Sequence, residues 1–155
     1  MMGSDLNMKR TIAIISMIAL MTLGLAACGG SGAPASTPSS KTAYAGFGYE
    51  DTGAGEMTLV TAGGNSKNNN IPQVASSKTM SVMQIKLEYE GGDGTLCTLY
   101  IDGNEERKLN ASEKMSGSLS LQGPSLDQGI HTVEMLAKDG DNVKLYKKAQ
   151  YEIVW

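Results

Sequence analysis

The sequence predicts an all-β fold, a two-sheet antiparallel sandwich of about seven short strands. Three observations predict it. Val82 to Glu90 (VMQIKLEYE) alternates strictly, with Met83, Ile85, Leu87 and Tyr89 on one face and Gln84, Lys86, Glu88 and Glu90 on the other, and a period of two marks a half-buried strand. Downstream, further short strand-like runs are separated by Gly-, Asp- and Asn-rich turns. No segment sustains a helical period, and no internal repeat is present.

Composition sets the outer limits. Of 155 residues, 41% are hydrophobic and 19% charged, enough for a packed core. Aromatics are only 5%, so that core must be mostly aliphatic and methionine. The formal net charge of −3 argues against a nucleic-acid binder, which usually presents a basic face. One histidine and two cysteines leave few ways to build a catalytic or transition-metal cluster.

The N-terminal elements concern address. Lys9 and Arg10 precede an uncharged, mostly apolar run of 14 residues, Ile12 to Leu25. That run is short for a membrane span, which needs about 20 residues, and it fits the apolar core of a secretion signal. It ends in Leu25-Ala26-Ala27-Cys28 and then Gly29-Gly30-Ser31-Gly32. This motif resembles the lipobox of bacterial lipoproteins. The resemblance implies a signal peptide over 1–27, cleaved before Cys28, and a diacylglyceryl thioether on the Cys28 sulfur. It places the protein on the extracytoplasmic face of a cell membrane, at the cell surface or in the periplasm. With Cys28 lipidated, Cys97 is the one remaining thiol and no intramolecular disulfide is expected. Residues 28–43, rich in Gly, Ser, Ala and Pro, read as a flexible tether with a mean reach of about 20 Å.

Residues 44–70 read as an irregular segment with short strands. Aromatics stand at 44, 47 and 49, Met57 to Thr61 (MTLVT) is strand-like, and Gly63 to Asn70 (GGNSKNNN) reads as loop. The sandwich is assigned to 71–155. Its strands are Val82 to Glu90, Thr95 to Ile101 with Cys97, Leu99 and Ile101 inward, Glu105 to Leu109, Ser118 to Gln122, Ile130 to Lys138 and Val143 to Val154. Asp102-Gly103 predicts a type I′ hairpin, whose two central residues both need positive φ. The expected interior comprises Met83, Ile85, Leu87, Leu99, Val133, Met135, Ala137, Tyr151 and Ile153.

Within the sandwich, Leu126-Asp-Gln-Gly129-Ile-His131-Thr-Val133 and the strand that follows it, to Asp139, resemble the E–F corner and strand F of immunoglobulin-like domains, especially bacterial surface ones. Leu99 to Asn104 is similar to their C–C′ hairpin. The resemblance covers about Ile71 to Val154 and implies an immunoglobulin-like sandwich. The antibody-type Cys–Trp–Cys core is absent: Val133 stands at the second Cys position, Ile85 or Leu87 at the first, and Cys97 or Leu99 near the Trp. His131 falls at the tyrosine-corner position, where the ring bonds back to the preceding loop.

The sequence shows no catalytic constellation and no nucleophile elbow, so an enzyme is not expected. Cys97 reads as a small core residue. Tyr100, Tyr146 and Trp155 read as a mixture of core and edge. The acidic turns are the one metal-type candidate. In the implied topology Glu90 and Asp93 share an end of the sandwich with Asp139 and Asp141, where four carboxylates would suit Ca²⁺; the same residues are also ordinary turn formers. No other cofactor is expected. The function expected is a non-catalytic binding or scaffolding module, with a protein or carbohydrate partner in the envelope and no nucleic acid. The rival readings are an accessory subunit of an envelope secretion or conjugation machine, and a carbohydrate- or Ca²⁺-dependent surface-binding module.

Overall fold

A computed structural model describes residues 44–155. The expected signal peptide (1–27), the lipidation site Cys28 and the tether (28–43) lie outside the described residues. Nine strands follow in order: β1 (Glu56–Thr61), β2 (Gly64–Asn65), β3 (Gln73–Ala75), β4 (Val82–Glu90), β5 (Thr95–Ile101), β6 (Asn104–Ala111), β7 (Lys114–Gln122), β8 (Gly129–Asp139) and β9 (Asn142–Val154). They form two sheets, a four-stranded one ordered β2-β1-β4-β7 and a five-stranded one ordered β3-β9-β8-β5-β6. This is the expected sandwich, with two very short strands, β2 and β3, beyond the expected count. The order β1-β4-β7 against β9-β8-β5-β6 follows the A-B-E and G-F-C-C′ order of immunoglobulin-like sandwiches, with no strand in the place of D among the described residues. The pairing is antiparallel except that β3 runs parallel to β9.

The alternation of β4 is realised in the expected register. Ile85, Leu87 and Tyr89 are buried and Met83 half-buried, while Gln84, Lys86 and Glu90 are exposed. The facing layer supplies Cys97, Leu99, Ile101, Val133, Met135, Ala137, Tyr151 and Ile153, all buried in one cluster. Removing a side chain the size of Leu87 from water contributes roughly 1.5–3 kcal/mol. Asp102 and Gly103 have φ of 49° and 77°, and Ile101 pairs with Asn104 across them. That is the expected two-residue type I′ turn.

The boundary at residue 71 is corrected. β1 lies inside the four-stranded sheet, between β2 and β4, and buries Met57 and Leu59 in the common core. The sequence MTLVT offers only a five-residue run, and its partner β4 is more than twenty residues away; long-range pairing, not local pattern, makes it a central strand. The stretch Gly63–Asn70 is also not all loop: it holds β2 and a 3-10 turn at Lys67–Asn69. β7 begins at Lys114, four residues earlier than its sequence pattern, because pairing with β4 continues to Glu90.

Candidate binding face

The described residues that carry chemistry fall into three places. The first is the acidic end. β5 begins and β8 ends there, since the two strands pair antiparallel from Thr98–Leu136 to Ile101–Val133, so the β4–β5 and β8–β9 turns do share one end of the sandwich. The carboxylates nevertheless do not gather: among the described residues no three His, Cys, Asp or Glu side chains form a group able to hold a metal ion. Glu90 lies in the four-stranded sheet, between Glu56 and Lys114 on the neighbouring strands. Asp139 belongs to the other sheet, and packed sheets stand about 10 Å apart. Asp93 turns back on its own loop, where Oδ1 accepts from the Thr95 hydroxyl at 2.6 Å and the Thr95 amide at 3.0 Å. Those bonds hold its carboxyl below the usual range. Asp139 lies 3.8 Å from the Lys144 ammonium, and both are exposed. The convergence of Glu90, Asp93, Asp139 and Asp141 into one site is therefore corrected: two sheets separate what one loop cluster was expected to unite.

The second place is His131. Its ring is buried and stacks on Tyr151, with centroids 5.1 Å apart. Nε2 lies 2.7 Å from the Asp127 carbonyl, four residues upstream, and Nδ1 lies 2.6 Å from Asp102 Oδ2. The bond back to the preceding loop is the corner role expected of this position. Burial alone would lower the imidazole pKa; the hydrogen bonds that the ring donates to Asp102 and to the Asp127 carbonyl, with the charges of both aspartates, outweigh it and raise the pKa. Both ring nitrogens face acceptors, so the imidazolium satisfies both. Cys97 likewise takes its expected core place. It is buried, its sulfur approaches the Leu109 carbonyl at 3.5 Å, and burial pushes the thiol up to about 11.

The third place was not legible as a unit. Residues 44–53 run as an arm across the outer face of β5, β8 and β9. Thr52 bridges to Tyr146 by two backbone hydrogen bonds of 3.0 Å. Lys147, buried to its tip, donates to Asp51 Oδ1 at 2.6 Å and to the Gly53 carbonyl at 3.0 Å. Thr132 Oγ1 donates to the Tyr44 carbonyl at 3.1 Å. Under the arm lies Glu134, fully buried. Its Oε1 accepts from the Phe47 amide at 2.7 Å and from the Tyr146 hydroxyl at 2.5 Å, and Oε2 has no partner. Desolvation and the neighbouring Glu134 carboxylate together raise the Tyr146 phenol pKa far above its ordinary value.

No protein-family model, curated protein or solved structure matches this chain. The site must therefore be read from its own chemistry.

Five of the chain's eight aromatic residues collect on this face. Phe47 meets Tyr100 edge-on at 4.9 Å, Tyr44 meets Phe47 at 6.2 Å, and Tyr49 meets Tyr146 at 5.5 Å. Tyr146 is buried and Tyr100 half-buried beneath them, while Phe47 and Tyr49 are each 37% exposed. Trp155, by contrast, stands apart and exposed, with the Lys78 ammonium over its ring at 5.3 Å. The arm can lie this close because of Gly46: at its φ of 90°, a Cβ would come within 2.8 Å of Glu134 Oε1 and 3.2 Å of the Tyr146 hydroxyl. Sequence reasoning missed Glu134 because an acidic residue on an alternating strand reads as solvent-facing. The available signal was the Tyr-Ala-Gly-Phe-Gly-Tyr run at 44–49, whose aromatics need a surface to cover.

Proposed function

We propose that the protein is a membrane-anchored extracytoplasmic lipoprotein, attached through lipidated Cys28, that acts as a non-catalytic binding or scaffolding module. The anchor rests on the order of charge, apolar run, small residues, Cys and Gly/Ser-rich spacer from Lys9 to Gly32. The binding role rests on one observation: an aromatic face outside the core, with Phe47 and Tyr49 left partly open to solvent. Exposed large aromatics are what partner surfaces use as anchors. Glu134 Oε1 and the Tyr146 hydroxyl under this face are tied up in structural hydrogen bonds, which suits a scaffold for recognition. An envelope protein or carbohydrate is the partner class that such rings and a surface address would serve.

Two measurements test this reading. Cys28→Ala should abolish labelling by a fatty-acid probe and release the chain from the membrane fraction; a variant that still labels and still sediments with membranes overturns the anchor. Affinity capture from native membranes should lose its partner when Phe47→Ala and Tyr49→Ala are combined. Undiminished capture by that double variant overturns the assignment of this face.

A further inference from the structure

We infer that the end of the sandwich carrying Met80, Val82 and Trp155 is a lipid-facing surface, which seats the domain on the membrane to which its tether holds it; this rests on the anchor proposed at Cys28. The β3–β4, β5–β6 and β7–β8 connections meet at this end. The register of β9 brings its last residues there too: Ile153 lies opposite Gly129, the first residue of β8, and Trp155 lies two residues further on. Met80, Val82 and Trp155 are 44%, 51% and 52% exposed. The stretch from Ser76 to Val82, SSKTMSV, holds one charge, Lys78, whose ammonium stands over the Trp155 ring at 5.3 Å. The Ser76 amide donates to the Val154 carbonyl at 2.8 Å, which ties this stretch to the residue beside Trp155.

The chemistry of this corner suits a bilayer interface. An indole settles at headgroup level, and a lysine keeps its charge among the phosphates while its methylenes lie along the apolar layer. The opposite end differs. Its turns present Asp93, Glu113, Lys114, Asp139 and Asp141, all exposed, with Leu96 the large hydrophobic exposed beside them. At the Trp155 end the acidic side chains lie off the apolar corner. Asp102 is bonded to His131 and Thr132, and the Asp127 carbonyl meets the same imidazole. Glu152 accepts from Gln73 at 3.1 Å. Glu105 and Glu106 stand on β6, at the edge of the five-stranded sheet opposite β3.

What covers this surface follows from where the chain enters the fold. The arm runs back from Thr52, bridged to Tyr146 at the level of Leu136, to Tyr44, whose carbonyl is bonded to Thr132 and whose ring lies against Gly103 in the β5–β6 turn. Followed towards the N-terminus, it descends to the Trp155 end. Trp155 lies about five strand residues beyond the level of Thr132, roughly 17 Å. The tether proposed for 28–43 has a mean reach of about 20 Å. The two lengths match, so a lipid on Cys28 lets this end touch the surface without stretching the chain. Seated in this way, the Phe47 contact with Glu134 stands roughly 20 Å above the surface. The aromatic face then looks sideways, open to a partner in the envelope.

Trp155 is the chain's one tryptophan, so its fluorescence reads this end directly. The full chain, purified in detergent, is returned to vesicles of phosphatidylcholine and phosphatidylglycerol, and the attached chain is collected by flotation. Phosphatidylcholine with brominated acyl chains should quench Trp155 by about twofold or more, as for an indole at headgroup level. Acrylamide in the water should reach Trp155 less than it reaches a reporter moved to the opposite end by Leu96→Trp with Trp155→Phe. Met80→Asp with Val82→Asp, at exposed positions, should abolish the quenching by brominated lipid while flotation persists. An attached chain whose Trp155 is open to acrylamide and untouched by brominated lipid, or equal quenching in the paired Asp variant, overturns the inference and leaves the anchor standing. Failure of the anchor reads differently, as loss of flotation. The Cys28 sulfur is then coupled to a lipid with a maleimide headgroup, from which Cys97 is shielded by burial, and the same quenching measurement decides the inference.

Discussion

His131 and Asp102 are joined by a hydrogen bond of 2.6 Å from ring Nδ1 to carboxylate Oδ2, and the same aspartate's Oδ1 accepts the Thr132 amide at 2.8 Å. One side chain thus ties the β5–β6 turn to β8. Asp102 can do so because it occupies the first position of the type I′ turn, with φ of 49°.

This pair gives the fold a pH dependence of defined sign. The folded imidazole has a pKa raised above its unfolded value. The stabilisation is therefore fully present below about pH 6.5, the unfolded value. It is lost as pH rises through the folded one. Urea midpoints measured from mildly acidic to mildly basic pH should fall across that window. Asp102→Asn keeps a residue suited to positive φ and should flatten the slope while costing about 1–3 kcal/mol. A variant with the parent's slope would show that another group sets the dependence.

The register of β4 makes a prediction about side-chain truncation. Ile85→Ala and Leu99→Ala remove buried aliphatic groups and should each cost roughly 2–5 kcal/mol in urea unfolding. Lys86→Ala loses only the exposed contact to Glu88 and should stay within about 1 kcal/mol of the parent. Equal shifts for all three would mean the inward face had been misassigned.

The arm should come away before the sandwich does. Gly46→Ala places a Cβ against Glu134 and the Tyr146 hydroxyl at a backbone φ of 90°, which strains the arm and leaves the sheets intact. Hydrogen exchange at the Phe47 amide, bonded to Glu134, should accelerate by roughly tenfold or more. The Leu87 amide, deep in β4, should not change. Equal acceleration at both would place the arm inside the same cooperative unit as the core.

Cys97 should be chemically silent in the native state. Its thiol is buried and its pKa is pushed up to about 11, so little thiolate exists at neutral pH. A thiol reagent at pH 8 should modify it only along the urea transition. Fast modification of the folded chain would contradict the packing of β5 against its partner sheet.

How much of this was legible follows from the range of each interaction. The inward faces of β4 and β5, the Asp102-Gly103 turn and the corner role of His131 could all be read from the sequence, because each depends on alternation within one strand or on contacts a few residues apart. The run from Lys9 to Gly32, on which the proposed leader and lipidation of Cys28 rest, is also a local pattern. Tertiary structure alone decided the rest. β1 became a central strand because it found β4, the acidic turns stayed apart because two sheets hold them, and Glu134 was buried because an arm about 85 residues upstream lies over it. A strand's own pattern shows which residues share a face; it does not show what will cover that face, since burial is a property of the partner that arrives, and that partner is specified elsewhere in the chain.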